Sequence, residues 1–281
     1  MKDLVDKIED GGQSWTADFR RISPNATSAG IWFDYSMAPP TPKQNFYFST
    51  ALVAATLNYK DGIISGPDCA STEKKYLKLI QAQCSVAPLN LMLCEYLLYY
   101  PGISGDDTEP EGVEMDNTLA ALPSAYSDGE GVQAFLVAQG SYTGGAQYFI
   151  TYTNQDGVSG RISQTCTTNT FGIYGSLLSS GVGASQFGPF IPLQLGDTGI
   201  RSVQKITWLS ANGGIAALVL ARRAGVLDIR EINQPSEKDF LVDMGLRMPT
   251  IKNQTYINFL GLANATVAAA PVYGTVEFIW G

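Results

Sequence analysis

The sequence predicts an α+β fold, in which a mostly antiparallel β-sandwich follows an extended N-terminal arm and a helical hairpin. From Gly131 onward, apolar and polar residues alternate in short runs between glycine-rich turns, as in sandwiches and barrels. Between residues 71 and 100 the apolar residues recur at helical spacing. The first 60 residues show neither the alternation of a strand nor the spacing of a helix. We therefore expect three regions: an arm at 1–60, a helical hairpin with an acidic loop at 61–130, and a β-sandwich domain at 131–281.

The first region resembles an arm that lies on another surface. Residues 1–10 predict a short helix that ends at Gly11, and the proline-rich segment 37–42 forces an extended backbone. A chain of this kind cannot satisfy its own backbone hydrogen bonds, so it must lie along another surface or remain in water. Its aromatic residues are the predicted interface anchors. These are Trp15, Phe19, Trp32, Phe33 and Tyr35.

The second region predicts two helices. Ser71 is placed to cap a helix that runs to Cys84, and Pro88 precedes a second apolar segment, Leu89–Tyr100, that stops at Pro101. The acidic loop 106–116 follows. A solvated loop is its expected state, and Ca²⁺ binding is left open because carboxylates suit this ion although the spacing does not match an EF-hand.

The third region predicts a series of strands, and its clearest signal is a hairpin that turns at Asn154–Gly157, where Asp-Gly tolerates positive φ. Ser236, with Asp239, predicts the start of one short helix. The predicted strands are Val132–Ala138, Gln147–Asn154, Val158–Thr168, Ile200–Leu209, Ile215–Arg222, Val226–Ile232, Thr255–Leu260 and Val272–Trp280.

The chain contains no histidine. Ser-His and Cys-His nucleophile pairs are therefore impossible within one chain, and so are most zinc sites. Carboxylate, lysine or tyrosine catalysis is left open, but no motif singles out a residue for it. The pairs Ser71/Lys74 and Ser202/Lys205 have the spacing of serine-lysine enzymes but lack the companion motifs. We expect no enzyme activity, no catalytic residue, no cofactor and no metal.

Charge and composition restrict the partners. The chain has 18 basic and 26 acidic residues, a net charge of −8, and no basic run longer than two residues, which argues against direct nucleic-acid binding. The longest apolar stretch, Leu89–Tyr100, is too short to span a membrane. Only 16% of residues are charged and 11% are aromatic, which favours contacts between protein surfaces or, equally, a monomeric β-protein.

Four segments of the second half carry a family resemblance: Tyr152–Arg161 (YTNQDGVSGR), Gly199–Gln204 (GIRSVQ), Ala217–Leu220 (ALVL) and Arg247–Ile251 (RMPTI). Through them the stretch from about 147 to 281 resembles structural proteins of tailed-bacteriophage particles. The resemblance covers about half of the chain, and it consists of turn and strand patterns, not catalytic signatures.

The resemblance implies a structural component of the virion, with a minor capsid or capsid-stabilising (cement) protein as the first choice. A tail, collar or baseplate protein and a carbohydrate-binding or carbohydrate-cleaving β-sandwich are the alternatives. The implied partners are further copies of the chain in a symmetric assembly and other virion proteins such as the major capsid protein. Assembly in a bacterial cytoplasm fits four cysteines that we interpret as free thiols. The position in the particle, the copy number and the symmetry are left open.

Overall fold

The computed structural model describes Asp6 and residues 13–23, 26–62, 64–170, 173–179, 188–243, 248–267 and 271–281. The strands of this part are β1 (Ser14–Ile22), β2 (Trp32–Asp34), β3 (Pro40–Thr41), β4 (Lys75–Cys84), β5 (Leu89–Ser104), β6 (Val113–Glu114), β7 (Val132–Ala138), β8 (Gln147–Asn154), β9 (Arg161–Ile162), β10 (Cys166–Thr167), β11 (Ile200–Trp208), β12 (Ile215–Ile229), β13 (Ser236–Asp239), β14 (Thr250–Ile251), β15 (Tyr256–Ala263) and β16 (Pro271–Trp280). Its helical turns are α1 (Tyr59–Gly62), α2 (Phe240–Asp243) and the 3₁₀ turns Tyr35–Met37 and Ser124–Tyr126. The expectation of a mostly antiparallel β fold is confirmed.

The strands form three sheets. The central sheet has the order β2-β15-β5-β12-β7. A second sheet, which we call the β4–β16 sheet, has the order β13-β4-β16-β1-β3, and β14 also pairs with β4. A third, the β8–β11 sheet, has the order β10-β8-β11-β6, with β9 paired to β8. The strand ladders whose register is described are antiparallel throughout.

The central sheet packs against both other sheets with one face. Near the start of β5, Leu91 and Leu93 share a core with the β4–β16 sheet. Near its end, Leu98 and Tyr100 share a second core with the β8–β11 sheet. Because β5 is 16 residues long and β12 is 15, these two strands reach across both cores. The result is two adjacent sandwich cores that share one sheet.

The segment 173–179 closes the central sheet into a small barrel. Ser176 bridges to Phe33 on β2, and Leu177 bridges to Val137 on β7. The Leu177 N–H donates to the carbonyl of Trp32 at 2.8 Å. The two edge strands of the sheet are thereby joined, which removes the exposed sheet edges. A third core, which includes Trp32, Tyr96, Phe135, Leu177 and Val219, fills the inside of this barrel.

The helical hairpin predicted between 71 and 100 is not present, because this segment forms β4 and β5. Ser71 lies in a turn and caps no helix. The physical reason is that β5 is covered on both faces, by the two sandwich cores on one side and by the barrel interior on the other. A strand buried on both faces loses its alternation and shows the continuous apolar run that a buried helix also shows.

The predicted arm is part of the sheets. β1 pairs with β16 along its nine residues, and β2 pairs with β15. The β4–β16 sheet combines strands from all three predicted regions, so the expected boundaries near 60 and 130 do not separate independent sheets. The helix predicted over 1–10 lies, apart from Asp6, outside the described residues.

Most strands predicted after residue 131 are confirmed. β7 has the predicted bounds, and β11, β15 and β16 differ from the prediction by a few residues. Where two strands were expected between 215 and 232, β12 runs through with a register shift between Arg223 and Gly225. The helix expected from Ser236 begins later, because Asp239 caps α2 by accepting from the N–H of Leu241 at 2.8 Å.

The predicted hairpin at Asn154–Gly157 is confirmed. β8 pairs with β9, and the Gly157 N–H donates to the Asn154 carbonyl at 3.0 Å. Gly157 has φ of 78°, a left-handed conformation that residues with a Cβ adopt only at a cost.

We expect Gly157→Val to lower the free energy of unfolding by about 1–2 kcal/mol, because a β-branched residue is strained at positive φ. Chemical denaturation of the variant measures this loss. Gly188→Val is the matched control, since Gly188 has no positive φ and a Cβ placed there would meet no atom of the described residues within 4 Å. An equal loss in both variants would contradict the turn assignment.

Candidate functional site

The five predicted interface anchors separate into two groups. Phe19, Trp32, Phe33 and Tyr35 are buried in the chain's own cores. All four rings pack inside these cores, so they stabilise the fold and are not available to a neighbouring molecule in this conformation. Trp15 is different, because 39% of its surface is exposed.

Three further aromatic residues lie, like Trp15, beside the hollows that border α1. Phe48 is 80% exposed, and Phe46 is stacked on it with ring centroids 5.4 Å apart and an interplanar angle of 16°. Tyr59 begins α1 and is half-buried. We call Trp15, Phe46, Phe48 and Tyr59 the aromatic surface. Exposed rings of this kind are the usual anchors of binding sites.

Tyr47 holds the loop that carries Phe46 and Phe48. Its side chain is fully buried between its two exposed neighbours, and its φ of 53° lies in the left-handed region. Such a conformation persists only where the surroundings enforce it. Here the Tyr47 hydroxyl donates to Asp34 at 2.5 Å, and the Tyr47 N–H donates to Asn45 Oδ1 at 3.0 Å. The two exposed rings are therefore presented on a fixed backbone.

Asp34 is the centre of a buried polar cluster beneath this loop. Besides Tyr47, its carboxylate accepts hydrogen bonds from the Tyr96 hydroxyl at 2.8 Å and the Ser36 N–H at 2.9 Å. Burial raises the pKa of Asp34, and these hydrogen bonds offset only part of that effect. Burial and the nearby carboxylate raise the pKa values of Tyr47 and Tyr96 well above the usual value, so both remain hydrogen-bond donors.

Arg21 fixes the segment that leads into the loop. This fully buried side chain donates from Nη1 to the carbonyls of Ala38 at 2.6 Å and Pro42 at 2.5 Å. Its Nε and Nη2 atoms have no hydrogen-bond partner of good geometry among the described residues. Burial lowers the pKa of Arg21, which the hydroxyl of Tyr256 and the carboxylate of Asp34 partly counteract.

Two concavities lie on either side of α1. The first, which we call the Phe48 pocket, has a volume of about 200 Å³ and is lined by Phe46, Phe48, Tyr256 and the amides of Gln44, Asn45 and Asn58. The second, the Trp15 groove, has a volume of about 370 Å³ and is more open, with Trp15, Tyr59 and Pro67 in its walls. The aromatic surface therefore consists of rings that border two shallow hollows.

The wall of the Trp15 groove is held in place by glycine and lysine contacts. A Cβ at Gly66 would lie 2.4 Å from Trp15 Cγ, so the indole packs directly on the glycine backbone. The buried Lys75 donates from Nζ to the carbonyls of Ser65 at 2.8 Å and Pro67 at 2.5 Å. Burial lowers the pKa of Lys75, and the nearby Cys69 and Asp68 offset part of this effect.

The acidic loop 106–116 is tied to the β-sheets by its own contacts. Asp106 accepts a hydrogen bond from the Gly213 N–H at 2.9 Å, and Val113–Glu114 pairs with β11. Within the described ranges, no group of three or more Cys, Asp or Glu residues is arranged to hold a metal ion. None of the helices in the described part of the chain has the length and apolar character of a membrane span.

Phe46, Phe48 and Tyr59 are not among the interface residues predicted from the sequence. One sequence feature could have indicated this site: the aromatic run Phe46-Tyr47-Phe48 lies in an otherwise polar segment after the proline-rich residues 37–42. Which of its three rings faces outward depends on the Asp34 cluster, which is a tertiary contact. Comparison of the chain with protein-family models, with curated proteins and with solved structures finds no match.

Proposed function

We propose that the protein is a structural component of a tailed-bacteriophage particle, as a minor capsid or capsid-stabilising protein. In this proposal the aromatic surface contacts neighbouring subunits. The observation that carries it is the exposed, stacked pair Phe46 and Phe48 on a loop fixed by Tyr47. The resemblance of residues 147–281 to virion proteins supports the choice of particle.

Exposed apolar surface is the physical reason for assigning the contact to these rings. Two stacked phenylalanine rings that face water forgo the burial that stabilises most aromatic side chains, about 25 cal/mol per Å² of apolar area. Trp15 and Tyr59 add aromatic surface at the neighbouring hollow, and exposed apolar surface of this kind marks interaction sites. A fixed loop also loses little conformational entropy when it binds.

Charge makes a small contribution to this contact. Lys43 and Asp61 form an exposed ion pair at 3.2 Å at the rim of the Phe48 pocket. Exposed pairs contribute at most about 1 kcal/mol and are screened by salt. We therefore assign the binding free energy of the proposed interface to the rings. The same surface serves the alternative of a tail, collar or baseplate protein, which no observed contact favours over the capsid.

We expect the double substitution Phe46→Ser/Phe48→Ser to reduce incorporation of the chain into particles by at least about tenfold, because truncation of central aromatic anchors costs about 2 kcal/mol or more. The measurement is the amount of the chain per purified particle, after assembly with the variant as its only source. The thermal unfolding midpoint is measured in parallel. Loss of Phe48, which is 80% exposed, should change it little, whereas loss of Phe46, which is 38% exposed and packs near Tyr174, should lower it slightly, so assembly is compared at a temperature where the variant is folded.

Leu119→Ser is the control for this experiment, since Leu119 is 76% exposed and lies outside both hollows. It should assemble normally. Deletion of the N-terminal region is not a suitable test, because β1 and β2 belong to the sheets. Normal occupancy of particles by the folded double variant would exclude the aromatic surface as the assembly contact.

A further inference from the structure

We propose that the Phe48 pocket binds a neutral pyranose sugar ring. This inference does not depend on the particle proposal. At about 200 Å³ the pocket is smaller than the roughly 300 Å³ at which drug-sized sites begin, so its size suits one sugar ring or a ligand of similar size.

The walls of the pocket combine apolar and amide groups. Phe46 and Phe48 supply the exposed aromatic surface, since Tyr256 is only 2% exposed, while Asn45 and Asn58 supply amides that both donate and accept hydrogen bonds. A pyranose ring presents a face of C–H groups and a rim of hydroxyls that likewise donate and accept. Aromatic faces complement the first, and planar amides complement the second.

Charge disfavours an ionic ligand. Lys43 and Asp61, the charged residues in the pocket lining, are paired with each other at 3.2 Å. Neither an anion nor a cation finds an uncompensated opposite charge there. A ligand with hydroxyls and no net charge fits this rim better than a phosphate, a carboxylate or an amine.

An unpaired amide donor in the pocket wall points to a ligand. The orientation of the Asn45 amide is set, because its Oδ1 accepts from the Tyr47 N–H at 3.0 Å. Its Nδ2 is buried and has no hydrogen-bond partner in the part of the chain that the structure describes. Buried donors are normally paired, so the missing acceptor needs an explanation. Asn45 lines the pocket, so a small movement of its side chain on binding would bring this buried donor to a sugar hydroxyl.

The pocket is also largely preformed. The buried Tyr47 fixes the loop from one side, and Gln44 anchors it from another by donating to the Met37 carbonyl at 2.6 Å. Asn58 Oδ1 accepts from the Lys60 N–H at 3.1 Å, which leaves its Nδ2 as a donor. Little reorganisation is then required for binding.

The test is saturation-transfer difference NMR on the full chain with methyl α-D-glucopyranoside, methyl α-D-mannopyranoside, methyl β-D-galactopyranoside and N-acetyl-D-glucosamine, each at about 10 mM because single sugars typically bind in the millimolar range. We expect transfer to the ring C–H protons of at least one of them. Phe48→Ala and Asn45→Asp should each weaken binding by about tenfold, and Leu119→Ala should leave it unchanged.

Two outcomes would overturn the proposal. They are no transfer to any of the four sugars, and transfer that is unchanged in Phe48→Ala and Asn45→Asp. Asn45→Asp also separates this proposal from the particle proposal, because it removes the Nδ2 donor but keeps the Oδ1 acceptor of the Tyr47 N–H, which holds the exposed rings that are assigned to assembly.

Discussion

Arg222→Met is expected to lower the free energy of unfolding by about 3–5 kcal/mol, because it leaves a buried carboxylate without its cation. Glu95 is fully buried on β5, and Arg222 Nη1 donates to its Oε2 at 2.7 Å. The Tyr126 hydroxyl and the Lys252 N–H donate to Oε1. Urea denaturation of the purified variant measures the loss.

The position of Glu95 explains why the effect should be large. Glu95 lies on β5 between Leu93, which belongs to the core of the β4–β16 sheet, and Leu97, which belongs to the core of the β8–β11 sheet. Arg222 is its register partner on β12. The ion pair therefore occupies the boundary between the two sandwich cores, and its carboxylate partner is fully buried although the Arg222 side chain is 27% exposed.

The same variant should also show a characteristic pH dependence. Burial raises the pKa of Glu95, and Tyr126 and Arg222 offset only part of this. A carboxyl group whose pKa is higher in the folded than in the unfolded state binds more protons when folded, so its contribution to stability decreases as pH rises. Removal of Arg222 strengthens this dependence, and the loss should be smaller near pH 5 than near pH 8.

Two further measurements test whether Glu95 is a buried charge paired with Arg222. The double variant Glu95→Gln/Arg222→Met should recover part of the stability, because it removes the buried charge together with its partner. A loss below about 1 kcal/mol in Arg222→Met, with no dependence on pH, would show that Glu95 is not charged and buried as described.

Leu177→Ala is expected to lower the free energy of unfolding by about 3 kcal/mol, within the range measured for fully buried leucines. Leu177 lies inside the barrel, on the segment that joins β2 to β7. Its loss leaves a cavity next to the closing hydrogen bonds. Urea denaturation of the variant provides the measurement.

Leu195→Ala is the matched control for barrel closure, since Leu195 is 96% exposed. The same chemical change there should alter stability by less than about 0.5 kcal/mol. Similar small effects at both positions would contradict the closed barrel, because Leu177 would then not be packed inside it.

Structure could be predicted correctly from the sequence where the signal lies within a short stretch of residues. The turn Asn154–Gly157 needs only Asp-Gly and two alternating runs, and β16 alternates because its two faces have different surroundings. β5 could not be recognised from its own residues, because the burial of both its faces comes from sheets formed by distant segments. Periodicity alone does not distinguish such a strand from a buried helix.

The candidate site shows the same limit. The sequence indicates that the first 60 residues carry many aromatic rings, but it does not show which of them face water. Phe33 and Phe48 are chemically identical, yet Phe33 is buried between sheets while Phe48 is exposed on a loop held by Tyr47 and Asp34. This difference arises from contacts between residues far apart in the chain.

Hydroxyl-radical footprinting of the isolated chain and of purified particles tests the central proposal most directly, because it reports the solvent exposure of individual side chains. We predict that Trp15, Phe46, Phe48 and Tyr59 are oxidised in the isolated chain and protected in the particle, while the exposed Leu119 is oxidised equally in both. Equal oxidation of the four rings in both states, or absence of the chain from purified particles, would contradict the proposal that this protein assembles through its aromatic surface.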